Sequence, residues 1–202
     1  MERVQRANGE VRRTQILAAS GQLVRRRGFT ATRMADVAAE LGLSAPLIVY
    51  HFRSKDELMA ATLAAEAQGE LERLERVAAA PLDPLAKLSR VVHLSLGAAS
   101  VGDWALWIDA WGEGLRSATM RDHLADLDRR WLAAIEAIIA DGRRAGAFTV
   151  PDPGASAERI MALLDGYGVQ LVRAGSARAR QRVLAAGRAA VGEELGVTLR
   201  TR

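Results

Sequence analysis

The sequence predicts an all-α fold of about nine helices, and three observations carry that prediction. Half of the 202 residues are apolar but only 4% are aromatic, and alanine supplies much of the apolar half while β-branched residues are sparse. Apolar residues recur at helical spacing along most of the chain, without the period-two alternation of strands. Glycine or proline then punctuates the periodic stretches at helix-length intervals.

The first helix is expected from about Glu10 to Arg27, with Ile16, Leu17, Ser20, Leu23 and Val24 inward and Gly28 as its stop. Arg25, Arg26 and Arg27 fill its last turn, where cations complement the helix dipole; a clamp on a polyanion is the alternative. The arm before it, with Arg3 and Arg6, is expected to be flexible. Thr32 is the expected N-cap of the second helix, whose apolar face is Met34, Val37, Ala38 and Leu41 and whose stop is Gly42. Ser44 caps a short third helix, with Pro46 in its first turn. Ser54 and Glu57 have the spacing of a capping box that opens a fourth helix at Lys55, continuous to about Ala79.

Pro81 and Pro84 break that helix. The fifth is expected over about Pro84 to Ala99, the sixth over Asp103 to Arg116 and the seventh over Met120 to Ala145, stopped by Gly146. Asp152-Pro153 is a cap followed by proline at the first helical position, opening an eighth helix to Ala174. The ninth runs from about Ser176 to Leu195, with Gly196 as its stop.

Residues 32 to 58 are the most informative stretch. Helix, tight turn with glycine, short helix is the arrangement that places its second helix in the major groove of DNA. Charge agrees: residues 1 to 60 hold 10 Lys and Arg against 6 Asp and Glu, while residues 61 to 202 hold 18 against 18. A basic segment beside a neutral one is the electrostatic footprint of a nucleic-acid reader joined to a module with another task.

On these residues the chain resembles the TetR family of bacterial transcription regulators. The resemblance rests on Thr14-Gln-Ile-Leu17, Gly28-Phe29, Thr32, Val37-Ala38, Leu41-Gly-Leu-Ser44, Tyr50-His-Phe52 and Ser54-Lys55, ending at Leu58. It implies a three-helix DNA-binding domain over 1–54 and a helical effector-binding and dimerisation domain over 55–202. By position, it sets Ala45, Pro46, Leu47 and Val49 against base edges and Tyr50, His51 and Lys55 against phosphates. Arg33, Ser44 and Thr32 complete the expected DNA-facing set, although Thr32 is a cap first and His51 has a structural alternative. Where members of the family commonly carry Lys-Gly-Thr and a second Tyr, this chain has Ala45-Pro46-Leu47 and Val49. Such an apolar surface touches thymine methyls but offers little hydrogen-bond readout, so specificity leans on Ser44, Arg33 and DNA shape.

Trp104, Trp107, Ile108, Trp111 and Leu115 share one wide face of the sixth helix, and Trp131 lies on the seventh. Core packing explains any one of them, but three Trp on one face also suit a ligand wall. With Trp131-Leu-Ala-Ala-Ile, Gly146-Ala-Phe148 and Leu163-Leu-Asp-Gly166, this part is similar to the BetI-like branch of the family. His93, Asp165, Tyr167 and Gln170 are the polar candidates to orient a ligand, and His93 and Tyr167 join the four Trp in the expected site. If Asp103 or Asp109 faces inward, a cationic ligand fits; otherwise a neutral apolar or aromatic effector is expected. Apolar stripes on the eighth and ninth helices, Ile160, Leu163, Leu164, Tyr167 and Leu171 with Val183, Leu184, Val191 and Leu195, predict a two-fold homodimer seam.

The expected partners are therefore double-stranded operator DNA, a small-molecule effector and a second copy of the chain. With no cysteine there is no disulfide framework or zinc-thiolate site. The three His, at 51, 93 and 123, make no metal-ligand spacing, and neither a nucleophile elbow nor a phosphate-cradling glycine loop is present. No catalytic residue, metal or cofactor is expected, which leaves an architectural DNA-binding protein as the main alternative and an all-helical enzyme as a remote one. No apolar run approaches the roughly 20 residues needed to span a bilayer, and a cytoplasmic protein without membrane contact is expected.

Overall fold

The computed structural model describes residues 2–97 and 101–199, with side chains from residue 9 onward. Among the described residues there are nine α-helices and no strand: α1 (Glu2–Arg27), α2 (Met34–Glu40), α3 (Ala45–His51), α4 (Lys55–Ala79), α5 (Pro84–Leu96), α6 (Val101–Gly114), α7 (Ala118–Arg144), α8 (Pro153–Arg173) and α9 (Ala177–Glu194). The helix over Glu2–Arg27 begins a full two turns before the expected start at Glu10, because Arg, Gln and Ala there are good helix formers and one Gly9 does not break the run. The side chains of Arg3 and Arg6, and the expected end of the fifth helix at Ala99, lie outside the described residues.

Helix ends follow local chemistry. Gly28, Gly42, Gly146 and Gly196 are the positive-φ residues among those described, with φ of 82°, 63°, 72° and 66°. Each stands where a helix stop is expected, since only glycine enters this region without strain. After α2, Leu43 N donates to Ala38 O at 2.8 Å and Gly42 N to Ala39 O at 3.2 Å, satisfying carbonyls that the helix leaves open. Asp83, Asp152 and Ser176 cap α5, α8 and α9 through their side chains.

By packing, the chain divides into two compact units, Met1–Gln68 with Leu106–Asp126 and Gly69–Ala105 with Leu127–Arg202. This division runs through α4, and the first unit includes most of α6 and the start of α7. Hydrogen bonds explain the inclusion: Phe29 N donates to Asp109 Oδ2 at 2.7 Å, Thr30 Oγ1 to Glu113 Oε2 at 2.7 Å and Ser117 Oγ to Asp56 Oδ2 at 2.9 Å. In the first unit Ile16, Leu23, Phe29, Val37, Ile48 and Phe52 are buried together with Leu58 and Leu63 of α4. Thr62 Oγ1 donates to Ser20 Oγ at 2.8 Å, so this buried hydroxyl pair is satisfied.

The second unit has its core in Leu88, Val91 and Val92 of α5, Ile135 and Ile138 of α7, Ile160 and Leu164 of α8, and Val191 of α9. Glycine sets the approach of two of its elements. A Cβ on Gly168 would fall 2.2 Å from the Trp104 ring, and one on Gly187 would fall 2.5 Å from Leu96 and 3.2 Å from the Tyr167 ring. These two glycines are thus used within the chain. Gly166, by contrast, is exposed and has nothing within 4 Å of a built Cβ. Among the described residues no single helix is long and apolar enough to cross a membrane.

Candidate functional site

The short helix α3 has two distinct faces. Ile48 is fully buried, as is Phe52 just after the helix, while Tyr50 is 82% exposed and Val49 49%. Ser44, Ala45 and Pro46 are exposed, and Leu47 and His51 are half-buried. Ser44 stands at the N-cap of α3 but makes no side-chain cap bond: Pro46 at the second position has no N–H, and the Leu47 amide at the third donates to Ser44 O at 3.0 Å. Its hydroxyl is therefore not consumed by the helix end.

Arg13 of α1 fastens the other end of α3. Its Nη1 donates to His51 O at 3.0 Å, and its guanidinium lies 4.1 Å over the Phe52 ring. The imidazole of His51 meets the Tyr50 ring edge-on with centroids 5.2 Å apart.

Two expected assignments change. Thr32 is fully buried and its hydroxyl donates to Gly28 O at 2.8 Å, so it closes the end of α1 and does not cap α2. The N-cap of α2 is instead Arg33, whose backbone N–H is taken by Asp36 Oδ2 at 3.1 Å, leaving the Arg33 residue exposed. Lys55 is half-buried, and its Nζ donates to Thr30 O at 2.7 Å. Nearby, burial opposes the ionisation of Glu113, but hydrogen bonds from Thr30 and Arg116 and the charges of Arg116 and Lys55 outweigh it and hold the carboxyl below its ordinary value. The capping box is shifted by one residue: Glu57 N donates to Ser54 Oγ at 3.1 Å, while Glu57 Oε2 accepts from Arg53 N at 3.0 Å.

The triple arginine is a helix end. Arg25 pairs with Glu66 at 2.7 Å, Arg26 with Glu40 at 3.2 Å and Arg27 with Asp36 at 3.5 Å.

The expected ligand residues are spread across both units. Trp107 and Trp111 belong to the first and are half-buried; His93, Trp104, Trp131 and Tyr167 belong to the second. Trp104 is core: it is 8% exposed, and its indole N–H donates to Ser95 O at 2.6 Å. Trp131 is equally buried. Tyr167 packs on Gly187, and His93 is exposed, lining a cleft with Arg90 and Arg188 and no tryptophan. Asp109 accepts from Phe29 N through its Oδ2 at 2.7 Å and so ties α6 to the turn after α1. Asp165 of α8 is held up to about 6, first by burial and then by the charge of Asp128, whose own value burial also raises. Among the described residues no group of three His, Cys, Asp or Glu side chains is placed to hold a metal ion.

Residues 16–62 match the family model for bacterial regulatory proteins of the tetR family, and residues 84–196 match that for the C-terminal domain of BetI-type transcriptional repressors. The chain belongs to the TetR family. TetR-family proteins are DNA-binding transcription regulators, not catalysts. Comparison with curated protein sequences finds no match. Solved structures extend the likeness: a regulator from Saccharomonospora viridis in complex with choline is 29% identical with a TM-score of 0.74, covering 86% of this chain and 94% of that one. A TetR transcription regulator from Haloarcula marismortui shares the fold at 19% identity, TM-score 0.80, covering 95% of this chain and 100% of that one. The reduced form of NemR from E. coli does so at 20% identity and TM-score 0.73, covering 86% and 94%.

Sequence reasoning missed Arg13, Asp109 and Glu113 as the TetR-type head's supports, and Arg90 and Arg188 as companions of His93. Arg13 had a signal, lying three residues before the apolar Ile16 on a helix that packs the head. The others are long-range pairs between residues with no shared motif.

Proposed function

We propose that the chain is a homodimeric repressor that holds a short palindromic operator and leaves it when a small molecule occupies the second unit. The observation that supports the DNA-facing surface is the two-faced α3, with Ile48 and the following Phe52 buried and Tyr50 and Val49 exposed. Ala45, Pro46, Leu47 and Val49 would meet base edges, with Ser44 and Arg33 supplying hydrogen bonds. Tyr50, His51 and Lys55 would position the backbone. Lys55 spends one of its three N–H groups on Thr30 O, which leaves two for a phosphate.

The dimer would form through α8 and α9, where Ala162, Gly166 and Gln170 of α8 and Ala185 and Ala189 of α9 are exposed. Small outward residues allow close helix approach across a two-fold axis, and the axis matches a palindromic site. A hundredfold fall in operator affinity requires an effector that favours the non-binding state by about 2.7 kcal/mol. The helix α4, 25 residues without a break, is covalently common to both units and would carry the change.

An apolar or aromatic effector is the first reading, since Asp109 is already engaged. A quaternary ammonium is the second, and one arrangement favours it. Asp128 precedes Trp131 by about one turn on α7, and Asp165 precedes by one turn the Gly168 on which Trp104 lies. Carboxylates beside aromatic faces suit a soft cation, and the Saccharomonospora relative holds choline. Operator sequences selected from random DNA, then a gel shift with choline and with indole, test the proposal. Loss of the shifted band with either supports a released repressor; operator binding unmoved by a metabolite library would overturn ligand control.

A further inference from the structure

Within the second unit, α5, α9 and the segment after α9 enclose a cleft of about 750 Å³, a size typical of small-molecule sites. Leu85, Ala86 and Val197 give it an apolar surface. Arg90 of α5 and Arg188 of α9 give the lining its positive charge, with the His93 imidazole and the Ser89 hydroxyl beside them. Among the described residues the one carboxylate in the lining, Asp83, is engaged, because its Oδ1 accepts from Ala86 N at 3.0 Å and caps α5.

Arg188 is the decisive residue. Its Nε is buried and has no hydrogen-bond partner among the described residues, whereas buried polar groups in proteins are nearly always satisfied. Among the described residues neither Arg188 nor Arg90 is paired with a carboxylate. Arg90 and His93 also line a neighbouring cavity of about 360 Å³ together with Arg73 and Arg76 of α4, where Arg76 is paired with Glu72 at 3.9 Å. A buried guanidinium donor without an acceptor, two arginines without counter-charges and an apolar surface together describe a site that awaits an anion.

We infer that this cleft binds a small organic anion, a carboxylate or phosphate carried on an apolar body. Arg188 and Arg90 would take the oxyanion through charge-assisted hydrogen bonds, with an N–H of His93 beside them, and the body would lie on Leu85, Ala86 and Val197. No tryptophan lines the cleft, so it is separate in chemistry from a cation site beside Trp104 and Trp131.

The test is calorimetric titration of the full chain with octanoate, hexyl phosphate and the neutral 1-octanol. Both anions should bind saturably and 1-octanol at least about tenfold more weakly, as expected for loss of a charge-assisted bond. Arg188→Gln should weaken the anions by at least about tenfold, and Arg188→Lys by less. Thermal unfolding shows whether the Gln variant folds; if it does not, the exposed Arg90→Gln carries the same expectation. The inference is overturned if neither anion binds, if 1-octanol binds as tightly, or if the folded variants bind like the wild type. Because heat of binding is the readout, the result does not depend on whether operator DNA is released.

Discussion

The guanidinium of Arg13 stacks 4.1 Å above the ring of Phe52 and, through its Nη1, holds the carbonyl of His51 at 3.0 Å. One side chain of α1 thus fixes both the C-terminal carbonyl of the DNA-facing helix and the aromatic residue that seats it. Arg13→Ala should lower stability by about 1–2 kcal/mol, combining a cation–π contact with a charge-assisted bond. Operator affinity should fall as well, and a lower melting temperature with a weaker gel shift would record both. Arg13→Lys should recover only part, since an ammonium cannot stack flat while donating sideways.

On DNA, positioning and specificity should separate. Lys55→Ala and Tyr50→Phe are expected to weaken binding to all sequences alike, the lysine change also reducing the salt slope by about one phosphate's worth. Substitutions at Pro46 or Leu47 should change which bases are preferred. Salt-titrated gel shifts on selected operators distinguish the two behaviours, and an unchanged salt slope in Lys55→Ala would mean that the bond to Thr30 O is the whole role of that amine.

Gly166 offers a clean probe of assembly, because it is exposed and open space surrounds its Cα hydrogen. Gly166→Arg adds helix propensity to a folded protomer but places a charged stem where a second copy would approach. The expected result in light scattering is a protomer-sized species with intact helical signal; a dimer of unchanged affinity would move the seam elsewhere.

Gly168 behaves in the opposite way. A methyl group there meets the Trp104 ring, so Gly168→Ala should destabilise the second unit by about 1–3 kcal/mol through overpacking. The Trp104 fluorescence should shift towards that of a wetter indole.

Asp165 predicts a pH dependence with a definite sign. Its folded value of about 6 lies above its ordinary value of 3.8, so the fold favours the neutral acid. Below about pH 4 both folded and unfolded chains hold the proton and the difference vanishes; as pH rises from there through about 6, the unfolded chain releases it first and stability falls. Asp165→Asn should therefore melt higher than wild type near neutral pH and nearly level with it at about pH 4. A constant gap across that range would show that the carboxylate is not held neutral.

How much of this was legible in the sequence depends on the range of the interaction. Gly28, Gly42, Gly146 and Gly196 each mark a helix end, because positive φ is a property of one residue. Ser54 and Asp152 were legible for the same reason, a cap being satisfied within three residues. Thr32 was misjudged between two local partners, its own α2 amides and the Gly28 carbonyl, and the turn geometry chose the latter. Trp104 and His93 could not be placed from spacing: Gly168 and Arg188, which decide their surroundings, stand on other helices far along the chain.

The bonds from Asp109 and Glu113 to the turn after α1 bear on how such regulators can be rebuilt. A fragment cut within α4 would keep every residue of the helix-turn-helix yet strand the Phe29 amide without its acceptor. The DNA head is therefore not a detachable cartridge. A chimera that gives this head a new sensor must bring the α6–α7 corner with it, or supply carboxylates at the same two places.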